Sequence, residues 1–323
     1  MHSLTQSSQH YPKRPSNDVL RTVPLMGTFV TIHVVGQVAG QEEDSGQTMR
    51  NEAVDRAFDW FRRVEECCTR FEPHSEVMQL ANQAGVPVQV STILYHAVQF
   101  ALAVAEESEG AFDPTVGYAM EEHGFNREYR TGQMVRTPLD SNRPVSYRDV
   151  QIDAERETIT LLRPLIIDLG AVAKGLAVDL AARELQPFNN FAINAGGDLY
   201  LGGCNPSGEP WSIGIRHPRS DNELIDSLRI SNRAVCTSGD YERRSSKDDG
   251  HHILDPHTGS SANGVASVTV IAPTAMLADA LATAAFVLGP TAGIQLFDRL
   301  GVDGLIISPE LERFATRGMS DYR

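Results

Sequence analysis

Short β-rich runs separated by glycines, with few helices between them, constrain the fold of this chain more than any other feature. In the second half, helical patterns cover only 173–185 and 277–288, and the latter ends at Gly289 and Pro290. A doubly wound parallel sheet needs a helix after nearly every strand, and this order does not provide one. The sequence therefore predicts an α+β fold. Its predicted strands in this half are 158–162, 165–168, 191–194, 211–216, 234–237 and 267–272.

The first half of the chain contributes one strand and two helices to this prediction. Apolar residues alternate over 30–34, which is typical of a strand with one buried face. Apolar residues recur at helical spacing over 53–68 and predict an amphipathic helix that faces a core. A second helix is predicted over 92–109, capped by Ser91 and ended by Gly110.

Two polar segments lie outside the predicted core. Residues 1–20 are rich in Ser, Gln, His and Pro and are predicted to form a loose arm, so that one domain would extend over 21–323. Residues 121–150 are charged and broken by Gly and Pro, which indicates a surface excursion or a lid. Residues 1–14 lack the apolar centre of a signal peptide, and we expect no apolar run long enough to span a bilayer.

The charge balance restricts the ligands that this chain can bind. It has 28 Lys and Arg against 42 Asp and Glu, which gives a formal net charge of −14. Such an acidic surface does not attract nucleic acid, so that class of partner is excluded. A phosphorylated ligand would have to be held by a metal ion or by local backbone dipoles. The four cysteines lack zinc-type spacing and are interpreted as buried or idle thiols.

Residues 168–175 form the first cluster with a chemical interpretation, a strand end that turns through glycine into a helix. Such a turn points backbone N–H groups at a bound anion, and Lys174 would add a mobile positive charge. The glycine spacing before this lysine excludes a P-loop, and no Ser or Thr follows it. A structural turn with a surface lysine is the alternative explanation.

Asp279 and Thr283 form the second cluster, because residues four apart share one face of a helix. A carboxylate and a hydroxyl there suit Mg²⁺, which takes few protein ligands and completes its shell with phosphate and water. The alternative is structural. The acid would favour the helix N-terminus, and the threonine hydroxyl would bond to its own backbone.

Residues 251–259 form the third cluster, with three histidines and an Asp-Pro turn. An imidazole titrates near neutrality and could accept the proton of an attacking hydroxyl. A solvated loop and a transition-metal site are the two alternatives.

Taken together in order, these clusters and several glycine-rich strand ends resemble the FAD:protein FMN transferase family, also called ApbE-like flavin transferases. The resemblance covers residues 26 to 288. Residues 121–126 stand where relatives usually have a tryptophan-containing segment. The motifs that carry the resemblance are Met26-Gly27-Thr28, Phe71 with Ser75-Glu76, 110–114, 168–171 with Lys174-Gly175, 194–198, 237–241, 252–259, and 278–280 with Thr283.

The resemblance implies a bilobed α+β fold in which mixed, largely antiparallel sheets are flanked by helices around a central FAD cleft. It also implies a Mg²⁺ ion held by the Ala171 carbonyl, the Asp279 carboxylate and the Thr283 hydroxyl. The residues implied to contact FAD are Met26, Phe71, Ala111, Phe112, Asp113, Asp168, Lys174 and the backbone near Ile253.

The activity implied by the resemblance is cleavage of FAD and attachment of FMN, through a phosphoester bond, to a Thr or Ser hydroxyl of an acceptor protein. AMP would be released, His252 would act as the general base, and the acceptor would be a subunit of a redox complex. Two alternatives remain open. An FAD pyrophosphatase would use water in place of the hydroxyl, and a storage protein would hold FAD without cleaving it.

The cellular compartment does not follow from the resemblance. Many members of the family are lipid-anchored on the outer face of the inner membrane, whereas residues 1–20 contain neither a leader pattern nor a cysteine that could accept a lipid. The expected location is cytoplasmic if Met1 is the native start. It is periplasmic or membrane-anchored if a leader has been removed.

Overall fold

The computed structural model describes residues 18–36, 43–137, 144–245 and 250–323. Most of the arm predicted over 1–20 lies outside the described residues, and the first strand begins at Val19. Residues 138–143 of the predicted excursion lie outside them as well. The extension of one domain over 21–323 stays a prediction.

Antiparallel strands form the centre of the fold. In the described ranges the strands are β1 (Val19–Leu25), β2 (Thr28–Val34), β3 (Val88–Gln89), β4 (Val150–Asp153), β5 (Thr158–Leu161), β6 (Phe191–Ala195), β7 (Asp198–Gly202), β8 (Trp211–Arg216), β9 (Leu224–Ile230), β10 (Arg233–Gly239), β11 (Ser267–Ala272), β12 (Asp303–Ile307) and β13 (Arg313–Ala315). An eight-stranded sheet has the order β1-β2-β6-β7-β10-β11-β12-β13. A three-stranded sheet has the order β3-β5-β4, and β8 pairs with β9.

The helices cover one side of the large sheet. They are α1 (Glu43–Cys68), α2 (Glu76–Ala81), α3 (Thr92–Glu107), α4 (Gly117–Glu122), α5 (Ala173–Leu185) and α6 (Ala275–Leu300). Helix α6 contacts β10, β11 and β12, and α5 lies between α6 and α1. This helical layer and the sheet enclose the main apolar core.

Alternation along the strands separates the two faces of the large sheet. In β10, Ala234 and Cys236 belong to the core beneath the helices, whereas Val235 belongs to a second apolar cluster. That second cluster includes Trp211 and Leu228 from the β8–β9 ribbon. Successive side chains of a strand point to opposite faces, so the ribbon covers the face that the helices leave open. The fold is therefore α+β with antiparallel sheets, as predicted.

Several predicted elements are confirmed. Val30, Ile32 and Val34 in β2 are fully buried, as their alternation predicted. Helix α3 begins after Ser91, whose hydroxyl accepts the N–H of Leu94 at 3.3 Å. Helix α5 and strands β8 and β11 have the predicted bounds.

The strand predicted over 165–168 is wrong. Leu165, Ile166 and Ile167 are almost fully buried but pair with no strand in the described residues. The segment is held instead by a hydrogen bond from the Asp168 N–H to the Pro114 carbonyl, 2.7 Å long. An apolar run buried on all sides looks the same in sequence whether or not it joins a sheet.

Helix α1 starts ten residues before the predicted position, at Glu43 instead of Ala53, because the first turns lack the apolar periodicity on which the prediction depended. The break predicted at Gly289 is present, since its φ of 81° and ψ of 175° are not helical. The chain then resumes a helix at Pro290, which is tolerated at a first helical position.

The expectation that no apolar run is long enough to span a bilayer needs revision for α6. By length and composition alone, this 26-residue helix qualifies, with a mean hydropathy of 1.5 in its most apolar window. Half of that window is buried inside the structure. The helix also packs on five strands of the large sheet, most extensively on β10, β11 and β12. Its apolar character is accounted for by this position in the core.

The start of α6 depends on a carboxylate from α5. Asp179 accepts the N–H groups of Ala275 at 2.7 Å and Met276 at 3.0 Å, which otherwise have no partner within the helix. We expect Asp179→Ala to lower the free energy of unfolding by about 1–3 kcal/mol, because it leaves part-buried donors unpaired. Urea denaturation would measure this change. Asp179→Asn keeps an acceptor oxygen and should lose less, so equal losses would contradict this explanation.

Candidate active site

One large cleft lies where the helical layer meets the sheet, with a volume of about 1070 Å³. Typical small-molecule pockets occupy about 300–1,000 Å³, so this cleft suits a ligand of dinucleotide size. Its walls contain every residue that the sequence predicted for FAD, metal or proton transfer. These are Met26, Phe71, Ala111, Phe112, Asp113, Asp168, Ala171, Lys174, His252, Ile253, Asp279 and Thr283. Their individual roles stay predictions.

Two close backbone contacts bring the distant parts of the chain together in this cleft. A Cβ atom at Gly175 would lie 2.4 Å from the Cα of Met276, so the starts of α5 and α6 touch only because this residue is glycine. At the β6–β7 turn, Gly196 has a φ of 66°, and its Cβ would lie 2.2 Å from the Thr28 hydroxyl oxygen. These contacts place Lys174 and Asp198 beside the first turn of α6.

Lys174, Asp198 and Asp279 form a buried charged group at one side of the cleft. The Lys174 ammonium donates to Asp198 Oδ2 and lies 3.7 Å from Asp279 Oδ2. Burial opposes the charge on Lys174, but the negative charges of Asp198 and Asp279 outweigh it and raise the pKa of this lysine. Lys174 is therefore a fixed, ionised group. Both the mobile charge and the surface lysine considered from the sequence are wrong.

Asp279 is the least compensated member of this group. Burial, followed by the negative charge of Asp198, raises the pKa of the Asp279 carboxyl. Its Oδ2 atom is buried and makes no hydrogen bond, since the Lys174 ammonium is beyond hydrogen-bond distance. A buried carboxylate oxygen without a partner is costly unless a cation or a proton offsets it.

The residues around Asp279 fit a hard divalent cation. Thr283 lies one helical turn further on, and its hydroxyl is 3.5 Å from that of Ser238. Ala171 belongs to the turn before α5 and also lines the cleft. Within the described ranges, no cluster of three or more His, Cys, Asp or Glu side chains could hold a metal. A set with one carboxylate suits Mg²⁺, which often relies on ligand phosphates and water for its other positions.

Arg70 and Asp168 form a second ion pair across the cleft. The Arg70 Nε atom lies 2.5 Å from Asp168 Oδ2, and the same guanidinium donates to the Phe125 carbonyl. Gly170 donates its N–H to Asp168 Oδ1 at 2.7 Å. Burial opposes the charge on Asp168, but Arg70 and the Gly170 hydrogen bond outweigh it and lower the pKa of this carboxyl. Asp168 is therefore ionised and fixed in position.

Of the three histidines in 251–259, only His252 lines the cleft. Burial, followed by the positive charge of Arg243, lowers its pKa to about 3. Its ring is therefore neutral near pH 7, and its buried Nδ1 atom has no hydrogen-bond partner. His251 is buried, with Nε2 2.6 Å from the Ala262 carbonyl oxygen, and His257 is exposed. His252 is thus the one histidine of this loop positioned to take a proton from a ligand in the cleft.

The segment 111–113 forms another wall, but the Asp113 carboxylate faces its own loop. It accepts the N–H and hydroxyl of Thr115 at 2.8 and 2.7 Å, and the N–H of Tyr147 at 2.9 Å. Burial raises the pKa of Asp113 even though these hydrogen bonds oppose the shift. A contact from this residue to FAD stays a prediction, whereas its role in shaping the loop is visible.

The sequence interpretation did not single out four other cleft residues. Asp198 belonged to a quoted glycine-rich motif, but it was interpreted as part of a turn. Arg70, Phe125 and Arg243 lie in segments without a distinctive pattern. Phe125 contacts the edge of the His252 ring, with the ring centres 6.4 Å apart. Residues 124, 125 and 127–130 of the predicted excursion also line the cleft, so this segment is in part a wall of the site.

The fold and the cleft define a class: an α+β protein with a large cleft lined by two ion pairs, Arg70–Asp168 and Lys174–Asp198, and by the Asp279 carboxylate, one oxygen of which makes no hydrogen bond. Comparison with known proteins gives the family. Residues 26–306 match the sequence model of the ApbE family, and the chain therefore belongs to that family. The family resemblance stated from the sequence is confirmed.

Similar proteins agree with this assignment. The FAD:protein FMN transferase of Vibrio cholerae serotype O1 is 30% identical, over 96% of this chain and 93% of its own length. That of Haemophilus influenzae is 30% identical, over 75% of this chain and 73% of its own length. The ApbE protein from Thermotoga maritima, known from a crystal structure, is 31% identical in sequence to this chain. The two structures match with a TM-score of 0.81, over 94% of this chain and 99% of the other. The structure of the flavin transferase ApbE from Vibrio cholerae matches with a TM-score of 0.80, over 96% of this chain and 100% of the other, at 27% sequence identity.

Proposed function

We propose that this chain is a flavin transferase that cleaves FAD and attaches FMN to a hydroxyl side chain of an acceptor protein. Membership of the ApbE family and relatives named FAD:protein FMN transferase support the activity. The observation that carries the proposal is that all residues predicted to contact FAD, the metal or the proton line one cleft of dinucleotide size. The acceptor is proposed to be a redox-complex subunit that carries the modified Thr or Ser.

Mg²⁺ is the metal that this site would hold. The Ala171 carbonyl, the Asp279 carboxylate and the Thr283 hydroxyl would be its protein ligands, and the unpartnered oxygen of Asp279 supports this assignment. When bound, such an ion neutralises charge that develops on phosphoryl oxygens. Lys174 would remain in place through its ion pair with Asp198 and add a positive charge beside the diphosphate.

Side chains of this protein would accept the proton of the acceptor hydroxyl and orient the reactants. A Thr or Ser oxygen of the acceptor attacks the FMN-side phosphorus, and the bond from that phosphorus to the oxygen of AMP breaks. The neutral His252 ring accepts the hydroxyl proton, and AMP departs with the bridging oxygen. Arg70 would hold Asp168 in position in the turn before α5. Positioning supplies much of the rate enhancement in such phosphoryl transfers.

Metal affinity should depend on pH in a range where an ordinary aspartate is already fully ionised. Mg²⁺ binds the ionised carboxylate, and the raised pKa of Asp279 lets protons compete above the usual range. We therefore expect the affinity for Mg²⁺, measured by calorimetry without FAD, to increase from about pH 5 through the Asp279 pKa of about 7 and to level off about one pH unit above it. Asp279→Asn should bind weakly without this slope. A constant affinity for the unmodified protein would contradict the prediction.

The proposed activity can be tested with purified protein, FAD, Mg²⁺ and a purified candidate acceptor subunit. A fluorescent acceptor band on a denaturing gel, with a mass increase equal to one FMN, supports transfer. Free FMN and AMP without a labelled acceptor indicate a pyrophosphatase, and unchanged FAD indicates storage. Either of the last two results, obtained with several acceptors, would overturn the proposal.

A further inference from the structure

Arg243 lies on the wall of the cleft directly beside His252. It belongs to the turn after β10, and its carbonyl accepts the N–H of His252 at 3.1 Å. The next residue, Arg244, forms an antiparallel bridge with His251. The backbone of Arg243 is thus fixed next to the proposed general base. Arg243 and Arg244 are both exposed, but only Arg243 is part of the cleft wall.

The guanidinium of Arg243 differs from the other cations of the cleft because it has no partner. Lys174 pairs with Asp198, and Arg70 with Asp168. The other cleft arginines also have partners: Arg62 pairs with Asp59, Arg130 pairs with Glu65, and Arg127 donates to the Gly132 carbonyl. In the part of the chain that the structure describes, Arg243 makes no side-chain ion pair or hydrogen bond.

The positive charge of Arg243 acts on four other titratable groups of the cleft. Burial is the largest influence on the pKa of Asp168, Lys174, His252 and Asp279, and the positive charge of Arg243 lowers the pKa of each of them. Arg243 therefore lies near the Asp168 and Asp279 carboxylates as well as the Lys174 ammonium, but it is paired with none of them. A bound phosphate would give this guanidinium the partner that it lacks in the described residues.

We propose that Arg243 is a further catalytic residue whose guanidinium donates hydrogen bonds to the diphosphate of FAD, at the phosphate that the acceptor hydroxyl attacks. The inference rests on the proposed function. Two observations select this phosphate. The proton acceptor His252 must lie near the attacked phosphorus, and Arg243 is fixed to its backbone. A planar guanidinium can bind two phosphoryl oxygens at once.

The expected contribution is to the transition state. When the acceptor oxygen attacks and the bond to AMP breaks, negative charge is redistributed over the phosphoryl oxygens, and a donor already aimed at them stabilises it. The charge of Lys174 is largely offset by its two neighbouring carboxylates. Arg243 is therefore the cation of this wall that is free to respond to the phosphate.

The test compares Arg243→Gln and Arg243→Lys with Arg244→Gln, a matched control on the adjacent exposed arginine. Single-turnover FMN transfer at saturating FAD should fall about 10²-fold in Arg243→Gln, the size expected for one charge-stabilising donor. Arg243→Lys should recover part of the loss, and Arg244→Gln should behave as the unmodified protein. Binding of FAD should weaken in Arg243→Gln, whereas binding of riboflavin, which has no phosphate, should be unchanged.

Three results would overturn the inference. Transfer by Arg243→Gln within a few-fold of the unmodified rate would show that the guanidinium does not act in the reaction. Equal losses of FAD and riboflavin binding, or a lowered thermal midpoint, would indicate a structural role. Recovery in Arg243→Lys no greater than in Arg243→Gln would exclude a role for the charge. If the unmodified protein and Arg244→Gln both fail to transfer FMN, the proposed function fails instead, and the two binding measurements still decide whether Arg243 contacts phosphate.

Discussion

Asp279→Ala is expected to lower the rate of FMN transfer by at least about 10³-fold, which corresponds to about 4 kcal/mol of transition-state stabilisation. The carboxylate is the one acidic side chain in the proposed Mg²⁺ ligand set, and its free oxygen is buried in the cleft. Its loss removes the main attraction for the metal and leaves Lys174 paired with Asp198 alone. Single-turnover labelling of an acceptor at fixed FAD and Mg²⁺ measures the effect.

A control on the same helix separates chemistry from folding. Asp298 is exposed, lies in the second half of α6 and is absent from the cleft wall. Asp298→Ala should therefore transfer FMN at the normal rate. Asp279→Asn, which keeps the shape of the side chain, should be nearly as slow as Asp279→Ala. An Asp279→Ala protein that labels its acceptor normally would show that the metal assignment is wrong.

His252→Ala is expected to slow transfer by about 10²- to 10⁴-fold, the usual contribution of a general base. The ring is neutral near pH 7 because burial and the positive charge of Arg243 lower its pKa to about 3. The ring is therefore free to accept a proton, but its lowered pKa makes it a weaker base than an ordinary histidine until the negative charge of a bound diphosphate raises that pKa. The pH profile of the unmodified protein should show no loss of activity that reports protonation of His252 near its ordinary pKa of about 6.5.

His257→Ala is the matched control for this loop. The His257 side chain is 67% exposed and lies 3.4 Å from Asp255, outside the cleft wall. Its removal should change transfer little. We expect the loss in Asp279→Ala to be at least as large as that in His252→Ala, because the metal affects both binding and chemistry whereas the base affects one proton. The reverse order would argue that binding of the metal does not depend on Asp279.

The sequence predicted the α+β class because the helical and strand patterns lie in an irregular order. The family resemblance predicted the residues that line the cleft, whereas each glycine-containing motif taken alone was a weak signal, because glycines at strand ends also simply make turns. Prediction from the sequence failed where burial removes periodicity. Residues 165–167 are all apolar and buried, and the first turns of α1 are polar, so neither segment has a pattern that distinguishes it.

The electrostatic state of the site could not be predicted from sequence. From the sequence, Lys174 is either a mobile charge beside a bound anion or a surface lysine on a structural turn. Its fixed position depends on Asp198, which reaches it only through the β6–β7 turn. The pairing of Arg70 with Asp168 joins residues 98 positions apart. No local pattern encodes such contacts, because tertiary packing creates them.

The contact between Gly175 and Met276 determines how the reactive groups are spaced. The main chains of α5 and α6 touch there without any side chain between them. The distance between the two helices, and with it the spacing of Lys174 and Asp279, is therefore set by the radii of main-chain atoms. Substitutions elsewhere in the protein, including those that adapt it to a different acceptor, can therefore accumulate without altering the distance between α5 and α6. A single methyl group at position 175 would change that distance.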